Sequence, residues 1–247
     1  MTTETPTNQP QHTWVSDIKR IGGAALLTGL VVLVAIIGAA AVTPLLQSSP
    51  TTGVGLTNIA QWAVLAAFQI AMIVATILVA AWYGPVTHTL ATAAQPDMLS
   101  RARIPFLASL LVMLAYSLFS LAFFPDAVAK DMAIFKKLMV GVPLWIPALI
   151  LVVGAPLSEE LLFRGFFLGQ LRQSRLGFAG GAVIATLGWT LLHLGYTVVG
   201  LLDVFLAGLL FSWTLWRTGT VWVPIAFHAL YNATVLAVIT LLIPAPA

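Results

Sequence analysis

Ser158-Glu159-Glu160-Leu161-Leu162-Phe163-Arg164-Gly165 lies inside an apolar run that extends from Pro143 to Leu171. Three charges in such a run have two readings. In a soluble core they are an ion pair with a spare carboxylate; in a bilayer each is costly and marks function by default. The rest of the chain decides between them. It has 247 residues, 60% hydrophobic and 8% charged, with mean hydropathy +1.01. A soluble domain carries about a quarter charged residues. The apolar residues recur in stretches of about 20, the length a helix needs to cross the hydrocarbon core. The bilayer reading wins.

Working outward, seven such stretches lie near 21–46, 59–82, 104–124, 143–171, 178–196, 198–216 and 221–243. The fourth is long for one crossing and is expected to break near Pro156, which would add an eighth helix. Only helices or closed barrels satisfy backbone groups in lipid, and uninterrupted apolar runs suit helices. The expected fold is therefore all-α, a polytopic transmembrane bundle of seven or eight helices. Turn-formers separate the runs at Ser48-Ser49-Pro50, Gly84-Pro85, Pro96-Asp97, Pro125-Asp126 and Thr218-Gly219-Thr220. Residues 1–20 read as a disordered cytoplasmic tail, 21–141 as N-terminal transmembrane helices without a signature, and 142–247 as the part that carries the chemistry. Ala39-Ala40-Ala41 could mimic a cleavage site, but the run is longer than a signal-peptide core, so it is read as an uncleaved span.

Charge gives an orientation. Lys19, Arg20, Arg101, Arg103, Arg172, Arg175 and Arg217 fall on one side, assigned to the cytoplasm by the excess of Lys and Arg. Lys130, Lys136 and Lys137 fall on the other, against that rule, and an interfacial amphipathic helix would accommodate them. The basic residues stand singly or in pairs between apolar runs, so the pI near 9.5 does not point to nucleic acid. With no cysteine, disulfides, thiolate metal sites and a Cys nucleophile are excluded.

Within the fourth run, Glu160 and Arg164 are i,i+4 neighbours able to pair. Glu159 lies about 140° from Arg164 around a helix and is the carboxylate left over. The fifth run brings Trp189 and His193 at the same spacing, and the seventh His228 and Asn232. If these helices pack together, Glu159, His193, His228 and Asn232 converge on one buried polar site. Each feature alone has a plain structural reading, but three separate desolvation costs are more than packing needs. Asp203 is read as a boundary or positioning residue. His12 and His88 are read as solvated linker residues. Trp145, Trp213, Trp216 and Trp222 are interfacial anchors by position. Gly165-xxx-Gly169 and Gly177-xxx-Gly181 allow close helix approach. Asn232-Ala233-Thr234 matches a glycosylation sequon but falls within a span.

Glu159-Glu160-xxx-Arg164, Trp189-xxx-His193 and His228-xxx-Asn232, with Arg217-Thr218-Gly219-Thr220 ahead of the last, resemble the signatures of the CPBP family. That family contains the CAAX prenyl endopeptidases and the bacteriocin-processing or self-immunity proteins. The resemblance covers roughly 142–243. One position departs from the family pattern: the second motif usually begins with Phe, where Trp189 stands here.

The resemblance implies an intramembrane endopeptidase that hydrolyses a peptide bond in a membrane-associated protein or peptide. It makes Glu159 the general base, with His193 helping to hold the water and His228 and Asn232 donating to the oxyanion. Glu160 and Arg164, with Trp189 beside them, support the site. Two cofactor readings stay open, a metal-free glutamic mechanism and a zinc ion held by Glu159, His193 and His228. Implied partners are the bilayer and a peptide or protein substrate, lipidated or not. The expected location is a bacterial cytoplasmic membrane with the N-terminus inside. Two other classes are weighed beside the protease: a non-catalytic immunity or scaffold protein binding a peptide partner, and a small proton-coupled transporter.

Overall fold

The computed structural model describes residues 13–47, 54–93 and 95–241. Among them the chain is helical, with no strand. Six helices are long and apolar enough to cross a membrane: α1 (Trp14–Gln47), α2 (Val54–Tyr83), α3 (Met98–Phe123), α5 (Trp145–Leu171), α7 (Val198–Thr218) and α8 (Trp222–Leu241). Two 15-residue helices complete the set, α4 (Pro125–Met139) and the apolar α6 (Gly177–Leu191). A single turn, Val86–Thr89, follows α2. This is a polytopic membrane bundle, and its outer faces carry exposed Leu, Ile, Val and Phe side chains as lipid contact requires.

The helix ends fall into two groups tied by hydrogen bonds. At one end the α1 start meets the turn after α5, where Arg175 Nε is 3.3 Å from Asp17 Oδ2 and its guanidinium lies 4.5 Å over the Trp14 ring. The α8 start meets the turn after α2, through Val221 N donating to Ala91 O at 2.9 Å and Trp222 Nε1 to Thr92 O at 2.9 Å. At the opposite end Asn58 and Trp62 of α2 donate to the carbonyls of Lys137, Leu138 and Val140. There too Asp131 of α4 accepts from Thr197 N at 2.8 Å and Oγ1 at 2.7 Å. Lys130, Lys136 and Lys137 thus stand at the end away from the other basic residues, on a 15-residue amphipathic helix.

Three expectations need correction. The first helix starts at Trp14, so 14–20 are not part of a disordered tail; the contacts to Arg175 hold that turn in place. Residues 1–12, His12 with them, lie outside the described residues, as does the Ser48-Ser49-Pro50 turn. The fifth run does not form a helix to 196. It ends at Leu191, and residues 192–196 form tight turns closed by Leu192 N to Trp189 O, His193 N to Thr190 O and Tyr196 N to His193 O.

The third correction concerns Pro156. The chain does not break there. Instead Leu149–Gly154 takes the wider π register, with Ala155 N–H reaching Ile150 O. In that register the partner of Leu151 O would be the N–H of residue 156, which proline lacks. The freed carbonyl is taken by Asn232 Nδ2 of α8 at 2.8 Å, and Ile150 O also accepts from Gln69 Nε2 of α2 at 3.2 Å. A second π segment, Leu161–Phe167, follows the two glutamates. Backbone groups left open by the irregular helix are therefore met by amides from its neighbours, as they must be at membrane depth.

The glycine motifs of α5 face backbone. A Cβ on Gly165 would lie 3.1 Å from Leu90 O, so the turn after α2 sits directly on α5. Gly219, at φ 71°, closes α7 in the left-handed conformation that favours glycine.

Candidate active site

α5 supplies the acidic pair. Glu160 and Arg164 are fully buried, with Nη1 3.1 Å from Oε1. Arg164 has further compensation from two aromatic faces: its Cζ lies 4.4 Å over Trp189 and 5.4 Å over Phe211. Among the described residues its Nε and Nη2 have no hydrogen-bond partner, so ring faces stand in for acceptors. These rings reach the cation because Gly208 has no side chain. A Cβ there would meet Thr186 Cγ2 at 2.6 Å, Arg164 Nη2 at 2.7 Å and Trp189 Cε3 at 3.0 Å.

α8 brings His228 into the same space. Its Nδ1 lies 3.0 Å from Glu160 Oε1 and its Nε2 4.0 Å from Glu159 Oε2. A carboxylate only accepts, so Nδ1 carries the proton and Nε2 is turned towards Glu159. Phe211 stacks on the imidazole at 4.8 Å and 22°, fixing the ring plane. Glu160 therefore orients His228 as well as pairing Arg164, a role the spacing of its own motif does not reveal.

Glu159 is half-buried and is not left over. Its Oε2 accepts from Trp189 Nε1 at 2.6 Å. His193 sits in the turn beyond α6, with Nδ1 3.1 Å from Trp189 O. A carbonyl cannot donate, so His193 presents Nε2 as its free nitrogen. Its ring centroid is 5.1 Å from Trp189, and His228 lies 5.4 Å from the same indole. Trp189 is the hub around which Glu159, His193 and His228 gather. Asn232 comes one turn after His228 and gives one amide hydrogen to Leu151 O; the second is uncommitted by that bond.

The other candidates fall elsewhere. Asp203 accepts a hydrogen bond from the Tyr231 hydroxyl, which joins α7 to α8. His88 is exposed on the turn after α2. Ser158 is buried, and its hydroxyl is committed to Ala155 O at 3.1 Å. Among the described residues no group of three or more His, Asp or Glu side chains is arranged to hold a metal ion. Glu159, His193 and His228 as placed do not fit zinc.

Bundle and site together define a multi-pass helical membrane protein with a buried carboxylate–imidazole centre in its C-terminal half. Residues 141–234 match the family described as type II CAAX prenyl endopeptidase Rce1-like. That match covers the C-terminal part of the chain and agrees with the CPBP resemblance of its motifs, so this part is similar to an intramembrane protease domain. No curated protein and no solved structure matches the chain.

Proposed function

We propose that the protein is an intramembrane endopeptidase in which Glu159 activates a water for attack on a peptide carbonyl. The observation that carries this reading is the placement of one carboxylate and one imidazole 4.0 Å apart, each held from behind. Glu159 is held by Trp189 and His228 by Glu160. A carboxylate acceptor and an imidazole nitrogen at that separation can both lie within about 2.8 Å of one reacting oxygen.

The step balances simply. Glu159 takes a proton from water as the oxygen bonds to the carbonyl carbon, and returns it to the amine as the C–N bond breaks. The oxyanion takes donors from the second Asn232 N–H and from Nε2–H of His228. With Nδ1–H committed to Glu160, that donation requires the imidazolium form. His193 Nε2 accepts from the water. The substrate class that suits the site is a membrane-associated peptide or protein, because the site lies among spanning helices.

The test is cleavage of a fluorogenic peptide panel, prenylated and unprenylated, by purified protein in detergent. Glu159→Ala is expected to lower kcat by at least about 1,000-fold, the scale of losing a base and its positioned water. Activity is expected to survive a strong chelator. Chelator loss restored by zinc would overturn the metal-free step. Peptide binding without cleavage by the wild type would move the protein to the non-catalytic binding class.

A further inference from the structure

Trp189 does more at this site than fill space. Its indole N–H is bonded to Glu159, its ring face carries the Arg164 cation, and its carbonyl holds His193. We infer that Trp189 is the positioning residue of the Glu159 carboxylate, acting through its indole N–H with Arg164 behind the ring. This rests on the base role proposed for Glu159 and adds what aims that base.

The geometry fixes the direction of every link. An indole N–H can only donate and a carboxylate can only accept, so the bond runs from Trp189 to Glu159 in one sense. At 2.6 Å it is a close hydrogen bond. A guanidinium 4.4 Å over the ring draws density from the π system and makes the N–H a stronger donor. The indole itself cannot swing. Gly208 lies against Cε3, Phe211 lies 5.7 Å from the ring in a tilted contact, and the residue is buried. Among the described residues Glu159 has no other contact of hydrogen-bond length, since His228 Nε2 at 4.0 Å is too far to hold it. The buried pair Glu160–Arg164 thus reaches the reacting carboxylate through Trp189, while through His228 it sets the imidazole that faces it.

Trp189→Phe separates the donor from the packing, because a phenyl ring keeps a face for Arg164 and loses only the N–H and part of the ring. With the peptide assay above, kcat is expected to fall about 10- to 100-fold, the cost of a misaimed catalytic group. KM should stay within about threefold, since no substrate contact is removed. A second readout does not need activity. In the ultraviolet resonance Raman difference between Glu159→Ala and wild type, the indole N–H marker of one tryptophan should move from strongly to weakly hydrogen-bonded. An unchanged marker overturns the inference whatever the kinetics show. Unchanged kcat in Trp189→Phe, with Glu159→Ala inactive, overturns it while leaving the base role standing. Full activity in Glu159→Ala removes the base role and this inference with it. The Raman arm uses only wild type and Glu159→Ala, so a Trp189→Phe protein that fails to fold leaves it decisive.

Discussion

The first three spans are greasier, with mean hydropathy 2.7, 2.5 and 2.2 against 1.7, 2.0 and 1.6 for α5, α7 and α8, and the two halves use their polar residues differently. In α1, α2 and α3 the most apolar window is only 22%, 22% and 17% buried, whereas in α5, α7 and α8 it is 50%, 39% and 39%. The apolar runs of the first three helices contain no charged residue, and the polar side chains of α2 are spent on backbone. Asn58 and Trp62 serve the carbonyls that end α4, and Gln69 serves the π segment of α5. In the second half polar side chains serve one another, as Glu160 does for Arg164 and His228 and Trp189 does for Glu159. Hydropathy separates the first half, a wall, from the second by degree. What marks the site is the set of side chains bonded to one another, Glu160 with Arg164 and His228 and Glu159 with Trp189, although Asn232 and His193 beside them bond carbonyls as α2 does.

The comparison breaks most sharply at Arg164. Replacing it with leucine leaves the Glu160 carboxylate buried without its cation, at a cost of about 3–5 kcal/mol. Unfolding in mixed micelles should register that loss, and peptide cleavage should vanish. The double variant Glu160→Leu/Arg164→Leu removes both charges and should recover most of the stability without recovering activity. Stability and activity returning together would mean that the pair only packs, and the contrast between the halves would collapse.

Gly208→Ala is expected to cost less, about 1–3 kcal/mol, as an overpacked core does. The new methyl would press on Thr186, Arg164 and Trp189 at once. Because Trp189 is the element displaced, kcat should fall further than the stability change accounts for. A variant as active as wild type at a temperature where it is fully folded would show that the indole tolerates displacement.

Much of this was legible in the residues. The spans other than the fifth, the alternation of their ends and the motif residues follow from apolar run length, basic flanks and i,i+4 spacing. The convergence of α5, α6 and α8 was legible because each carries a cost that packing alone does not explain. The connections inside the site were not. Spacing places Glu159 away from Arg164, but nothing in one helix says that an indole from α6 will take the vacant side. His193 and Trp189 share a helical spacing, yet the helix ends between them and a turn closed by i→i+3 bonds supplies the contact; Gly195 was the available signal. Pro156 signalled irregularity without its form, since a missing N–H can be met by a break or by a wider register. Only the presence of Asn232 opposite Leu151 O selects the register.

The smallest effect tests the wall. Gln69 is buried on α2 and donates to Ile150 O, one span away from any proposed reacting group. Gln69→Leu removes one amide hydrogen bond between spans, worth about 0.6 kcal/mol by the average of such contacts. The carbonyl keeps its Ala155 N–H, so no orphan remains. Activity should stay within about threefold of wild type. The same crossing offers a sharper cycle, because a Cβ on Gly154 would collide with the Gln69 amide. Gly154→Ala alone should therefore be harmful, and Gln69→Ala should relieve it, with a coupling of at least about 0.5 kcal/mol. Coupling confined to stability would keep α2 as a wall that braces the π segment. Coupling that also appears in kcat would mean the brace sets where Leu151 O, and with it Asn232, stands at the site.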